Sequence, residues 1–434
     1  MRTHFRGRRT LMAVAGVAAG CLTITACGGG GDSASDSKTV TIWSSVDQPV
    51  QDGLEAWLSD KAKAEGITIK WSKVENINQL IMTKIQANDT PDIAFIPQPG
   101  VVADIVERGK AEPLDDIVDM SALDASMVPG TLDSGTVDDK LYGLLVSMNV
   151  KSLVFYNKQA WDEAGYQAPD SIEGLNELTD QIKADGGTPW CAGIESDTAT
   201  GWPATDWFED LVMRYGGVDE YNAWVSHETP FDSDVVRESA AEFEQLMFTE
   251  GNVLGGRDAI ASTNFGTAGN PMFDADGPSC WLYKQGSFIT GFFPDDVKAD
   301  LDANVGLFGF PPAEAGGDNP VLGGGDLATL LTDKSAAADV IKLMSETDFG
   351  SEAAGSSSFI SPHKDFALDN YPDELTRSVA SVAYDSSAFL FDGSDQMPGE
   401  VGAGSFWRDI TAWISGQEDL DKALTNIDDS WPAS

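Results

Sequence analysis

Residues 38–43, KTVTIW, alternate polar and apolar side chains with the two-residue period of a half-buried strand. The spacing widens to that of a helix over 49–65, returns to alternation over 66–74, is helical again over 76–87, and closes on a short apolar run, PDIAFI, at 91–96. This β-α-β-α-β order predicts an α/β fold in which parallel strands of a mixed sheet are flanked by helices. Ligands of such sheets bind beyond the carboxyl ends of the strands. Two of those ends are the stretch from Trp43 to Asp47 and the stretch 97–100, which contains Gln98.

Residues 141–158, LYGLLVSMNVKSLVFYNK, stay apolar, β-branched and aromatic for too long to form one ordinary strand. They predict two shorter strands joined at a polar break over 147–149, a hinge where the chain leaves one domain for the next; one long buried strand is the competing reading. Beyond it the pattern predicts a helix over 171–185 that stops at Gly186 and Gly187. There follow an aromatic loop, mostly helical chain to 248, a strand running into a helix over 278–293, and a return strand over 304–310. Gly323, Gly324, Gly325 and Asp326 then precede a further strand, a helix covers 335–345, and the chain crosses once more at 359–363. Three crossings between two bodies place one lobe at 38–148 with 305–357 and the other at 149–304 with 358–434.

The N-terminus carries a different pattern. Arg2, Arg6, Arg8 and Arg9 precede an apolar run over 11–26 that is short for a membrane span, so residues 1–26 read as an export signal. The Arg8-Arg9 pair leaves both the general and the twin-arginine export routes open. Ile24-Thr25-Ala26-Cys27 resembles a bacterial lipobox, in which the cysteine is acylated, for example with palmitate, and becomes the mature N-terminus. Cys21 competes for that role. Cys27 is preferred because GGGGDSASDS follows it, making 27–37 a flexible tether.

Charge narrows the range of partners. The net charge is −43, and removal of the four arginines of the leader would leave −47. Such a body repels phosphate backbones, so no nucleic-acid partner is expected. Once the leader cysteines are set aside, Cys191 and Cys280 remain; in an oxidising compartment two is the number for one disulfide, with two buried free thiols as the alternative.

Catalytic and metal-binding patterns are missing. His4, His227 and His363 are scattered, and no nucleophile elbow, phosphate loop or dinucleotide fingerprint occurs, so no catalytic residue, metal or cofactor is expected. With 70 acidic residues a pair of glycosidase carboxylates stays open as an alternative. The twelve tryptophans, several in loops beside Gly, Pro and Asp, suit a sugar, which offers apolar faces and a rim of hydroxyls.

Several segments together resemble the extracellular solute-binding proteins of ABC importers, family 1, the carbohydrate group related to maltose-binding protein. LYGLLVSMNVKSLVFYNKQAWDEAGY is similar to the family's first crossover, QGSFITGFFP to its Gly-Ser-aromatic segment, GGGDLATLL to its Gly-rich strand, and MPGEVGAGSFWRDITAWISGQEDLDKALTNID to its C-terminal helical segment. TPWCAGIESDTATGWPATDWFEDLVMR with PMFDADGPSCWLYKQGSFITGFFP looks most like the α-glucoside-binding type, whose members tend to have a cysteine in each segment. The resemblance implies a two-domain periplasmic-binding-protein-like fold that closes on an oligosaccharide about a hinge of crossover strands. It implies sugar-stacking aromatics at Trp407, Phe288 and Trp202, polar contacts from Asp47, Gln98 and Asp326, and further contacts from Asp206 and Gln285, with Trp43 beside them at its strand end. Phe288 stands where many relatives have Trp. The implied protein is a monomer, exported and lipid-anchored to the outer face of the cytoplasmic membrane, that hands its sugar to permease subunits without chemistry. A secreted glycoside-active enzyme and a surface adhesin lipoprotein are the competing readings.

Overall fold

A computed structural model describes residues 38–432. The expectations for the leader, the tether, Cys21 and Cys27 lie outside the described residues. β1 (Thr39–Ser44) buries Val40, Ile42 and Ser44 on one side, as the alternation predicts. The helix Gln48–Ala64 follows with Pro49 in its first turn, and it buries Val50, Leu54, Trp57 and Leu58 along one face. β2 (Thr68–Lys73), the helix Ile77–Ala87 and β3 (Ile93–Ile96) complete the unit, and β1 runs parallel to both β2 and β3.

β4 (Thr136–Val137) and β5 (Lys140–Leu141) form a small hairpin ahead of β6 (Gly143–Val150) and β7 (Leu153–Asn157). β8 (Leu282–Lys284), β9 (Val305–Gly309), β10 (Val321–Leu330) and β11 (Phe389–Phe391) come later in the chain. One sheet has the order β11-β10-β3-β1-β2 with β6 also on β10, and a second has the order β8-β7-β9. The first is mixed, because β10 is antiparallel to β3 and β6 but parallel to β11. The two-sheet α/β architecture agrees with the fold class expected from the sequence.

Three local expectations are corrected. The break in the long apolar run lies at Lys151 and Ser152, not over 147–149, because Ser147, Met148, Asn149 and Val150 are paired with Asp326, Gly325, Gly324 and Gly323 in the β6–β10 ladder. Those glycines lie inside β10 and do not precede it. A Cβ on Gly325 would stand 2.0 Å from the Ser147 carbonyl oxygen, so the ladder closes only without side chains there. The 278–293 region holds only a three-residue strand and a 3-10 turn, Ser287–Phe292, instead of a strand and a helix.

Ser152 joins the chain crossings. Its Oγ donates to Asp210 Oδ1 at 2.6 Å and accepts the Leu322 amide at 2.7 Å, while its carbonyl accepts the Phe310 amide at 2.9 Å. Among the described residues, buried apolar side chains form two clusters. The first is built on the six-stranded sheet and also takes in Tyr283, Phe293 and the helix Glu374–Tyr384. The second is built on the helices Trp202–Val225, Asp234–Met247, Trp407–Ile414 and Leu420–Asp429. Cys191 and Cys280 are bonded to each other, which resolves the cysteine alternative. Among the described residues no helix is long and apolar enough to cross a membrane.

Candidate functional site

A cleft of about 240 Å³ opens where β1 ends, lined by Asp47, Val50, Ser147, Asn149, Phe288 and Asp326 among others. It brings together three of the residues expected from the sequence. Asp47 is exposed just ahead of the helix Gln48–Ala64; Asp326 stands at a bulge in β10; Phe288 belongs to the 3-10 turn after β8. Asp326 Oδ2 accepts a hydrogen bond from Ser147 Oγ at 3.0 Å. Burial pushes the Asp326 carboxyl up to about 6; the Ser147 hydroxyl opposes that shift and the Asp47 carboxylate reinforces it. The cleft therefore offers two carboxylates, hydroxyls and an amide beside an aromatic ring, the two-sided chemistry that a polyol ring requires.

Trp202 flanks this cleft, its ring centroid 5.8 Å from that of Phe288. It opens the helix Trp202–Val225 directly after Gly201, whose φ of 118° and close approach to the Trp407 backbone exclude a side chain. The Trp407 backbone is thus packed against Gly201, but Trp407 lines a separate cavity of about 370 Å³ with Thr198, Thr200, Arg408 and Thr411. Trp43 is half-buried on β1 with the Lys84 ammonium 5.7 Å from its ring centroid. Gln98 accepts from Asn78 Nδ2 at 2.8 Å and donates to Asp395 Oδ1 at 3.0 Å. Gln285 is buried, with its amide oxygen accepting the Gly286 amide and its nitrogen donating to the Tyr283 hydroxyl.

Asp206 belongs to a buried ionic network that sequence reasoning missed. Lys151, at the junction of β6 and β7, donates to Asp206 Oδ1 at 2.9 Å and to Asp392 Oδ2, and its ammonium lies 5.3 Å from the Trp202 ring centroid. Both Glu209 oxygens accept backbone amides, from Gly393 at 2.9 Å and Ser394 at 3.1 Å. Burial acts to lower the Lys151 pKa, but the surrounding carboxylates, Asp206 and Asp392 first, hold it well above the ordinary lysine value. Burial pushes Asp206 and Asp395 each up to about 7 and Glu209 well above the usual range, whereas Lys151 holds Asp392 below it against the effect of burial. Oxygens of Asp206, Glu209 and Asp392 lie within 4.8 Å of one another, and the Lys151 ammonium and the Gly393 and Ser394 amides bond to oxygens of these same three carboxylates.

Residues 46–348 match the family described as bacterial extracellular solute-binding protein. The osmoprotective compounds-binding protein GgtB of Synechocystis sp. (strain ATCC 27184 / PCC 6803 / Kazusa) is 34% identical over 95% of this chain and 97% of its own length. The alpha-glucosides-binding periplasmic protein AglE of Rhizobium meliloti (strain 1021) is 35% identical over 91% of this chain and 87% of its own. The solved structure of the bacterial solute receptor AcbH superposes with a TM-score of 0.77 over 90% of this chain and 98% of its own at 15% identity, which speaks to the fold alone. These are binding proteins, so the glycosidase alternative is set aside. With the family match spanning most of the sequence and two relatives aligned almost end to end, this chain belongs to the bacterial extracellular solute-binding proteins.

Proposed function

We propose that the protein captures an oligosaccharide of the α-glucoside type for an ABC importer and delivers it to the permease by closing two lobes. The observation that carries this reading is the meeting of Asp47, Asp326 and Phe288 around one cleft, with Trp202 beside them. Carboxylates accept hydroxyl hydrogen bonds while the rings cover apolar sugar faces. The name of AglE, an α-glucosides-binding protein 35% identical to this chain, supports an α-glucoside as the ligand.

The two lobes are proposed to follow the two sheets, with crossings at Lys151 and Ser152 and between β9 and β10, in place of the bounds at 148/149 and 304/305 expected from the sequence, because β6 and β11 pair with β10 whereas β9 pairs with β7. A sugar held by both lobes favours the closed state by its differential affinity for it. Cys27 is proposed as the acylated N-terminus that tethers the exported protein to the outer face of the membrane. Small-angle scattering of the mature protein with and without maltose or trehalose tests closure. The radius of gyration should fall when a sugar binds; a bound sugar that leaves it unchanged contradicts hinge capture.

A further inference from the structure

The Gly-Ser-aromatic segment carries a second phenylalanine that the cleft leaves unused. Phe292, at 49% exposure, is the most exposed large apolar side chain among the described residues, whereas Phe293 directly after it is 2% exposed and sits in the core. Isolated exposed apolar residues are ordinary. Phe292 is not isolated. Its ring centroid lies 5.3 Å from that of Phe265, Phe265 lies 5.0 Å from Trp202, and Trp202 lies 5.8 Å from Phe288, which lines the cleft. Phe288, Trp202 and Phe265 are each half-buried, so the strip becomes more open as it leaves the cleft.

The end of the strip is held in place. Ile289 within the turn and Phe293 after it are buried, and the Phe292 ring lies against the buried backbone of Gly266, where a Cβ would come within 2.7 Å of it. An ordered ring costs a ligand less entropy to stack on than a mobile one. Adjacent planes meet at 56°, 71° and 57°, a faceted surface and not a flat one. Successive rings of a glycosidic chain are likewise rotated against each other about their linkages.

We infer that Phe288, Trp202, Phe265 and Phe292 form one continuous track on which an oligosaccharide emerging from the cleft lies, with Phe292 as the outermost platform setting preference for longer chains. The inference rests on the carbohydrate reading and adds ligand length to it. Phe292 would touch only those sugar rings that extend past Trp202, so its contribution depends on chain length.

The test is calorimetric titration of the mature protein and its Phe292→Ala and Phe292→Trp variants with maltose and maltopentaose, and with cellobiose and cellopentaose. The wild type should bind a pentasaccharide more tightly than the matching disaccharide. Phe292→Ala should weaken pentasaccharide binding roughly three- to tenfold, leave the disaccharide unchanged, and keep the wild-type melting temperature; Phe292→Trp should retain the preference. Equal weakening of both lengths overturns the inference, as does unchanged binding of both. Unchanged binding with impaired uptake in cells would assign Phe292 to permease docking and also overturns it. If no sugar binds the wild type, the carbohydrate reading itself fails and takes the track with it, an outcome distinct from sugars that bind but ignore Phe292.

Discussion

Lys151 Nζ lies 2.9 Å from Asp206 Oδ1 in a buried junction, although 55 residues separate them in the chain. The same ammonium reaches Asp392, 241 residues away. One side chain at the β6–β7 crossover therefore ties together the start of the helix Trp202–Val225 and the segment after β11.

Removing that cation should be costly. Lys151→Met leaves Asp206 and Asp392 buried without their partner, a situation that typically costs about 3 to 5 kcal/mol. The loss, measured by urea unfolding, should be largest at pH 8, where both carboxyls are ionised. It should shrink toward pH 6, because Asp206 is already pushed up to about 7 and takes a proton. Adding Asp206→Asn and Asp392→Asn should recover part of it. A Lys151→Met variant as stable as the wild type at pH 8 contradicts this role.

Asp326 separates binding from stability. Its folded pKa of about 6 exceeds the ordinary 3.8, so the stability it contributes is present at low pH and is lost as pH rises through about 6. At pH 8 Asp326→Asn should therefore leave the ligand-free melting temperature at or above that of the wild type. Binding should move oppositely: loss of a charged acceptor, worth about 1.5 to 3 kcal/mol, weakens the sugar on the order of ten- to a hundredfold. Wild-type affinity should fall as pH drops below about 6, and that dependence should be weaker in Asp326→Asn. A pH-independent wild-type affinity between pH 5 and 8 would count against Asp326 as an acceptor.

The Cys191–Cys280 bond closes a loop over a sequence separation of 89. On the chain-entropy view this is worth roughly 4 to 5 kcal/mol. Replacing both cysteines by Ala should lower unfolding stability by up to that amount while sugar affinity holds at temperatures where the variant is folded. An unchanged urea midpoint would show that the crosslink contributes little.

Acylation of Cys27 is proposed from its lipobox-like segment. Cys27→Ser should move the protein from the membrane fraction to the medium. If Cys27→Ser remains in the membrane fraction and Cys21→Ser is released instead, Cys21 is the acylated residue.

Legibility in the sequence followed the range of the interactions. β1, β2 and β3 and their helices were readable because burial of Val40, Ile42 and Ser44, or of Val50, Leu54 and Leu58, is a local periodicity. Asp47 was expected at a cleft because it follows the end of β1, and it lines the cleft with Asp326 and Phe288. Asp326 and Phe288 came from family-like segments, and the fold brings them to the same cleft as Asp47. The hinge position was misplaced because Ser147 and Asn149 look like a polar interruption until the glycines of β10 pair with them. Those glycines disfavour a strand by propensity; the close approach of the Asn149 carbonyl and the Phe389 ring explains Gly323, and that of the Ser147 carbonyl explains Gly325. Lys151, Glu209, Asp392 and Asp395 left no signal, because nothing in an acidic sequence marks which carboxylates will surround a distant lysine.

Capture of an α-linked glucoside in the Asp47–Asp326 cleft is what we propose for this chain. Calorimetric titration of the mature protein against matched panels of α- and β-linked oligosaccharides, repeated with Trp202→Ala, tests it most directly. We expect saturable binding of at least one α-linked glucoside, weaker or no binding of its β-linked counterpart, and a loss on removing the Trp202 ring of about 1.5 to 3 kcal/mol, on the order of ten- to a hundredfold in affinity. Preferential binding of the β-linked panel, binding unaffected by Trp202→Ala, or no binding of any saccharide would contradict it.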